Sequence, residues 1–159
     1  MIKIIFVCHG NICRSVAAEY IAKKIIKERN IEHLYNIESK ATSFEEIGND
    51  IYPPMKYCLS RHNIEYQKHR ASRINMRDVN ESDYIYYMDN NNLNNLIRMF
   101  GDNDKFINIT KYVDKYNYIE DPWYSDNFDK VVDQLIECIN LIFDHLPNKI
   151  WFRHLTIIN

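Results

Sequence analysis

"IKIIFVCHGNICRSVAAEYIAKKII" (residues 2–26) carries the signals that decide the fold. Residues 2–8 are apolar apart from Lys3, the composition of a strand buried on both faces. Residues 14–29 then place Ala17, Ala18, Ile21, Ala22 and Ile25 at helical spacing. Between the two lies CHGNICRS, residues 8–15. Glycine permits unusual backbone angles and asparagine tolerates the left-handed region, so Gly10 and Asn11 predict a tight curl. A curled loop ahead of a helix turns its N–H groups inward and forms an anion receptor. Cys8 stands at the strand exit, where such a nest surrounds its sulfur.

Outward from this unit, strand and helix go on alternating. Residues 35–41, "DYIYYMD" (83–89) and "KFINI" (105–109) predict three further strands. "GNDIYPP" (48–54) predicts a loop, and a short helix follows near 54–62. "DNNNLNN" (89–95) looks low in complexity, yet Leu93, Leu96 and Ile97 recur at helical spacing and predict a helix to about Phe100. Residues 126–145 predict the last helix, with Phe128, Val131, Val132, Leu135, Ile136, Ile139 and Phe143 on one face. This order predicts an α/β domain with a parallel sheet, whose site lies at the carboxyl ends of the strands.

At 159 residues the chain suits one domain with a substantial core. A net charge of −2 argues against nucleic acid or an anionic membrane as partner. No apolar run is long enough to span a bilayer, and the first residues form a strand pattern without a signal-peptide cleavage site. Asn80-Glu81-Ser82 and Asn108-Ile109-Thr110 are therefore read as chance matches to a glycosylation pattern. Four cysteines in a chain this long are no disulfide framework, so reduced thiols and a cytoplasmic location are expected.

Five residues separate Cys8 from Arg14. The loop N–H groups and the helix N-terminus would stabilise a thiolate at Cys8. Arg14 offers paired hydrogen bonds to a phosphate and keeps its charge, and Ser15 offers a hydroxyl to the sulfur. A nucleophile inside an electropositive nest describes phosphoryl transfer through a covalent intermediate. A strand-to-helix turn with a merely buried cysteine fits the same residues. Such chemistry also needs an acid for the departing oxygen. "EDPWY" (120–124) supplies Asp121, fixed by the following proline and walled by Trp123 and Tyr124. A plain Asp-Pro turn with a packing tryptophan is the alternative.

Taken together, "VCHGNICRS" and "DPWY" resemble the signature loop and acid loop of the low-molecular-weight protein tyrosine phosphatases. "ATSFEEIGN", "HRAS", "YMDNNNL" and the terminal helix fall in the family's order, so the resemblance covers residues 2 to about 146. It implies a small doubly wound parallel sheet flanked by helices, with the phosphate-binding loop between first strand and first helix. It also implies metal-free, cofactor-free hydrolysis of phosphotyrosine in proteins, with inorganic phosphate as product, by a monomer. Cys8 is then the nucleophile, Arg14 the phosphate clamp and Asp121 the acid and later the base. His9, Gly10, Asn11, Ile12, Cys13, Arg14 and Ser15 form the phosphate loop, and Ser15 stabilises the thiolate. Asn11 holds the loop in shape, with Ser39, His69 and Asp89 as support. Ile12, Glu45, Trp123 and Tyr124 are the expected pocket wall. Cys13 corresponds to a cysteine that forms a reversible disulfide with the nucleophile, although simple packing also explains a cysteine there.

Several positions depart from the family pattern. His9 replaces an apolar loop residue, either as a titrating donor at the lip or as an exposed side chain. Val16 replaces a common proline. Glu45 falls where many members carry Trp or Tyr, with Phe44 one place early, and Ser72 where arginine is frequent, with Arg73 one place later. A branch acting on phosphoarginine carries threonine at the position of Ile12. An apolar Ile12 suits a phenyl ring and would leave guanidinium donors unpaired, so phosphotyrosine is the expected substrate. Residues 59–137 contain no cysteine, which removes the relay that arsenate reductases of this fold require. Arg14 and Asp121 argue against a mere phosphate carrier, and with Cys8 against a non-enzymatic phosphotyrosine-binding module. The phosphatase domain is expected over residues 1–147, followed by a tail, 148–159, whose Trp151 and Phe152 are expected to pack on the body.

Overall fold

The computed structural model describes residues 1–146. The tail 148–159, with the packing expected of Trp151 and Phe152, lies outside the described residues. Among the described residues, four strands form one sheet: β1 (Ile2–Cys8), β2 (Tyr35–Ala41), β3 (Tyr84–Tyr87) and β4 (Phe106–Asn108). Their order is β2-β1-β3-β4 and every pairing is parallel. The chain steps from β1 to β2 on one side and returns to β3 on the other, so the order reverses beside β1. Such a switch point opens a crevice at the carboxyl ends of the strands.

Among the described residues, six helices surround the sheet: α1 (Arg14–Glu28), α2 (Pro53–Arg61), α3 (Met76–Glu81), α4 (Asn90–Phe100), α5 (Pro122–Ser125) and α6 (Phe128–His145). A 3-10 turn, Glu32–Leu34, leads into β2. Side chains alternate across β1 as strand geometry demands. Ile4, Phe6 and Cys8 join the core under α1, α2 and α6, whereas Ile5 and Val7 join Val79 and Leu96 of α3 and α4 on the opposite face. The apolar face expected of α1 is buried throughout. On α6 the expected face is buried except for Ile136, which is half-buried. No helix among the described residues is long and apolar enough to cross a membrane.

The differences from expectation are local. Strand β3 is shorter than residues 83–89 because Asp89 is the N-cap of α4, its side chain accepting from Asn92 N while Asn92 Oδ1 accepts from Asp89 N. Ile97 of α4 is exposed, so its buried face rests on Leu96 and half-buried Leu93. Helix α6 begins at Phe128 because Asp126 adopts a left-handed φ of 62°. Helices α3 and α5 were not anticipated. Helix α3 is one and a half turns held by an Asn75–Asp78 capping box, too short for a periodic apolar face. Helix α5 is a single turn started by Asp121 and Pro122.

Candidate active site

The loop after β1 is fixed by Asn11. It is the residue in the left-handed region, at φ 61°, and it is fully buried. Gly10 keeps a negative φ, so the conformational freedom expected of it is not what it supplies. Its role is spatial: a Cβ there would stand 3.1 Å from Glu46 Cγ. Asn11 Oδ1 accepts from Ser72 N at 3.2 Å, and that backbone donor fixes which end of the amide is oxygen. Its Nδ2 then donates to Ser15 Oγ and to Ser39 Oγ, both at 2.9 Å. Ser39 Oγ in turn donates to Glu19 Oε1 at 2.6 Å. His69 Nε2 donates to the Asn11 carbonyl at 2.7 Å, and Asp50 accepts from His69 N at 3.0 Å. Lys56, first among its partners, holds the Asp50 carboxyl down to about 2. Ser39 and His69 therefore both meet the loop through hydrogen bonds to one asparagine.

This arrangement directs three groups at Cys8 Sγ. Asn11 N donates at 3.3 Å, Ser15 N donates at 3.4 Å, and Ser15 Oγ lies 3.0 Å away. Cys13 is the N-cap of α1 but gives no side-chain cap bond, so the Ser15 N–H left over at the helix start goes to the sulfur instead. Ser15 Oγ already accepts from Asn11, which leaves its hydroxyl proton free to point at Cys8. Helix-terminal and loop N–H groups thus converge on the sulfur.

Arg14 is buried behind the loop. Its Nη1 donates to Asp89 Oδ2 at 2.6 Å and to the Ile119 carbonyl at 2.8 Å, while Nη2 lies 3.5 Å from Asp121 Oδ2. Burial works against the charge, but Cys8, Asp89 and Asp121 outweigh it and hold the guanidinium above its ordinary value. Asp121 Oδ1 accepts from Trp123 N at 3.0 Å, which makes Asp121 the N-cap of α5. Trp123 tilts against Tyr52 with ring centroids 4.7 Å apart, so it both packs and walls the site. Burial, then Cys8, then Asp121 push the Cys13 thiol upward.

A cleft of about 160 Å³ gathers Cys8, His9, Gly10, Ile12, Cys13, Arg14, Glu45, Asp121, Trp123 and Tyr124, all expected from sequence, together with Glu46. Phe44 does not line it; its ring lies exposed beneath the Arg73 guanidinium at 3.9 Å. His9 Nε2 sits 2.9 Å from Glu45 Oε2, so the loop histidine pairs across the lip. Sequence reasoning missed Glu46, Glu19, Asp50, Asn92 and the Ile119 carbonyl. The D-x-x-N spacing of Asp89 and Asn92 was a legible capping signal. A backbone carbonyl that reaches an arginine 105 positions away leaves no such mark.

Cys58, His62 and Asp129 bring three metal-type donor atoms within 4.8 Å of one another. Their lone pairs are committed, however: His62 Nδ1 is 2.8 Å from the Cys58 carbonyl, and Arg61 holds Asp129 at 3.1 Å. Burial and then Asp129 push the Cys58 thiol up to about 12, so it remains a donor to that carboxylate at 3.3 Å. The cluster is a hydrogen-bonded staple between α2 and α6. All four cysteines are free thiols.

The family model for the low molecular weight phosphotyrosine protein phosphatases matches residues 3–150. The Gallus gallus protein of that name is 35% identical over 143 residues, covering 86% of this chain and 90% of the relative. The low molecular weight protein-tyrosine-phosphatase PtpA of Staphylococcus aureus is 33% identical over 153 residues, covering 89% and 92%. Among solved structures, YfkJ from Bacillus subtilis superposes with a TM-score of 0.87 at 28% identity, covering 91% of this chain and 93% of that one. SP-PTP from Streptococcus pyogenes, a low molecular weight protein tyrosine phosphatase, does so at 0.82 and 30% identity, covering 97% and 99%. On loop geometry, fold and sequence alike, the chain belongs to the low molecular weight phosphotyrosine protein phosphatase family.

Proposed function

We propose that this chain hydrolyses phosphotyrosine in proteins through a phosphocysteine on Cys8, with Asp121 as general acid and then general base. The observation that carries this reading is the convergence of Asn11 N, Ser15 N and Ser15 Oγ on Cys8 Sγ, inside a cleft that Asp121 also lines. In the first step the Cys8 thiolate attacks phosphorus. The S–P bond forms, the bond from phosphorus to the tyrosyl oxygen breaks, and protonated Asp121 gives its proton to that oxygen. In the second step the Asp121 carboxylate takes a proton from water, whose oxygen attacks phosphorus. The S–P bond breaks, the thiolate returns and inorganic phosphate leaves.

Loop N–H groups and the Arg14 guanidinium hold the equatorial phosphate oxygens, where charge is concentrated in the transition state. Asp89 and the Ile119 carbonyl occupy Arg14 Nη1, which turns Nη2 toward Asp121 and the cleft. Ile12, Trp123 and Tyr124 provide apolar and aromatic surface for a phenyl ring. Under peroxide, a Cys8 sulfenic acid condenses with the Cys13 thiol to give a disulfide and water, which shields Cys8 from further oxidation.

Matched phosphotyrosine and phosphoarginine peptides test the reading. Phosphate release from phosphotyrosine is expected with the higher kcat/KM, and Cys8→Ser is expected to remove turnover while inorganic phosphate still binds. A preference for phosphoarginine would overturn the substrate, and residual turnover in Cys8→Ser would overturn the intermediate.

A further inference from the structure

The cleft is acidic at its lip. Of the residues lining it, Arg14 alone carries a permanent positive charge, against the carboxylates of Glu45, Glu46 and Asp121. Arg14 is in turn paired with Asp89 at 2.6 Å. Glu46 is held at the lip: its Oε2 accepts from Asn49 Nδ2 at 2.7 Å, and its Cγ lies 3.1 Å from where a Cβ on Gly10 would stand. Glu45 is more exposed and meets His9 at 2.9 Å, a contact that neutralises it only when the imidazole is protonated. A phosphotyrosine side chain brings a charge of about −1.5 to −2 at neutral pH. The loop N–H groups draw it in, but two lip carboxylates repel any further acid that enters with it.

Resting on the phosphatase reading above, we infer that Glu45 and Glu46 make this site selective for phosphotyrosines flanked by lysine or arginine. A cation beside the phosphotyrosine meets the two carboxylates at the mouth while the phosphate descends to the loop. Across the cleft, exposed Trp123 and Tyr124 offer ring faces to the same cation. An acidic flank meets two like charges instead.

Three matched phosphotyrosine peptides, with lysine, alanine or glutamate on either side of the phosphotyrosine, test this. For two solvent-exposed ion pairs the expected advantage in kcat/KM of the lysine peptide over the glutamate peptide is about three- to tenfold. It should shrink at high salt, since the groups face solvent. Glu45→Gln with Glu46→Gln, or Glu46→Lys alone, should collapse the ratio toward one, and Glu45→Lys with Glu46→Lys should invert it, which loss of a purely structural contact would not do. The same peptides titrated into Cys8→Ser should keep the order in Kd. Equal kcat/KM and equal Kd for the lysine and glutamate peptides, or a ratio that survives Glu46→Lys, would overturn the lip assignment. Charge-ordered Kd values with no turnover in the wild type would instead sink the catalytic reading and leave the lip standing.

Discussion

The two loops that meet in the cleft are built in opposite ways. The phosphate loop, residues 8–15, is buried and overdetermined: Asn11 alone is held through Ser15, Ser39, His69 and Ser72. The acid loop is one short turn, with Trp123 and Tyr124 exposed and its carboxylate held by one N–H and a 3.5 Å approach to Arg14. A group that must stabilise charge without reorganising profits from a rigid mount. A group that must give a proton to a leaving oxygen and then take one from water needs access to both. On the mechanism proposed above, the division between a fixed nest and a lightly held acid follows from those demands.

The contrast breaks first at Asp121. Asp121→Asn is expected to lose about 10²–10⁴ in kcat on phosphotyrosine, the range of general acid catalysis. The loss should be smaller on para-nitrophenyl phosphate, whose leaving group departs with less need of a proton. Equal losses on both would mean that Asp121 acts only by capping α5 and facing Arg14.

Asn11 is the corresponding test of the nest. Asn11→Ala removes three side-chain hydrogen bonds, two of them buried, and leaves a left-handed φ without an asparagine. A stability loss of about 2–4 kcal/mol is expected in denaturant titration. Displacement of Cys8 and Arg14 should lower kcat by about 10- to 100-fold. Full kcat with full stability would show that the network is redundant.

The smallest effect at rest is expected at Cys13. In Cys13→Ser turnover should persist, and the difference should appear only after peroxide. Wild-type activity should return with dithiothreitol, whereas the variant's should not, because its sulfenic acid oxidises further. Unchanged recovery would leave Cys13 as a packing residue at the start of α1.

Much of this was legible in local chemistry. Cys8, Arg14 and Ser15 stand in one nine-residue stretch, and Asp121 is marked by the proline behind it. The helices α1 and α6 were readable because each repeats its apolar face over several turns. The short helices α3 and α5 were not, since a turn or two holds no period and their starts depend on single capping side chains. Gly10 shows the same limit within the loop. Its backbone freedom suggested a turn residue, but its φ is negative and the constraint on a larger residue there is a close approach to the Glu46 side chain, 36 positions later.

By itself, then, the sequence determined the alternating strand-helix order and nominated the phosphate loop and the reacting groups, because each rests on spacing within a few residues. Only the tertiary structure decided how those groups are oriented. The parallel sheet brings Ser39 of β2 and Ser72 to Asn11, and the carboxyl end of β3 brings Asp89 to Arg14. It also completed the charge of the lip, since Glu46 joins the expected Glu45 at the cleft only once the chain after β2 folds over the phosphate loop. Hydrogen-bond directions and the balance of charge around Arg14 are sums over residues distant in the chain, and no local pattern encodes such a sum.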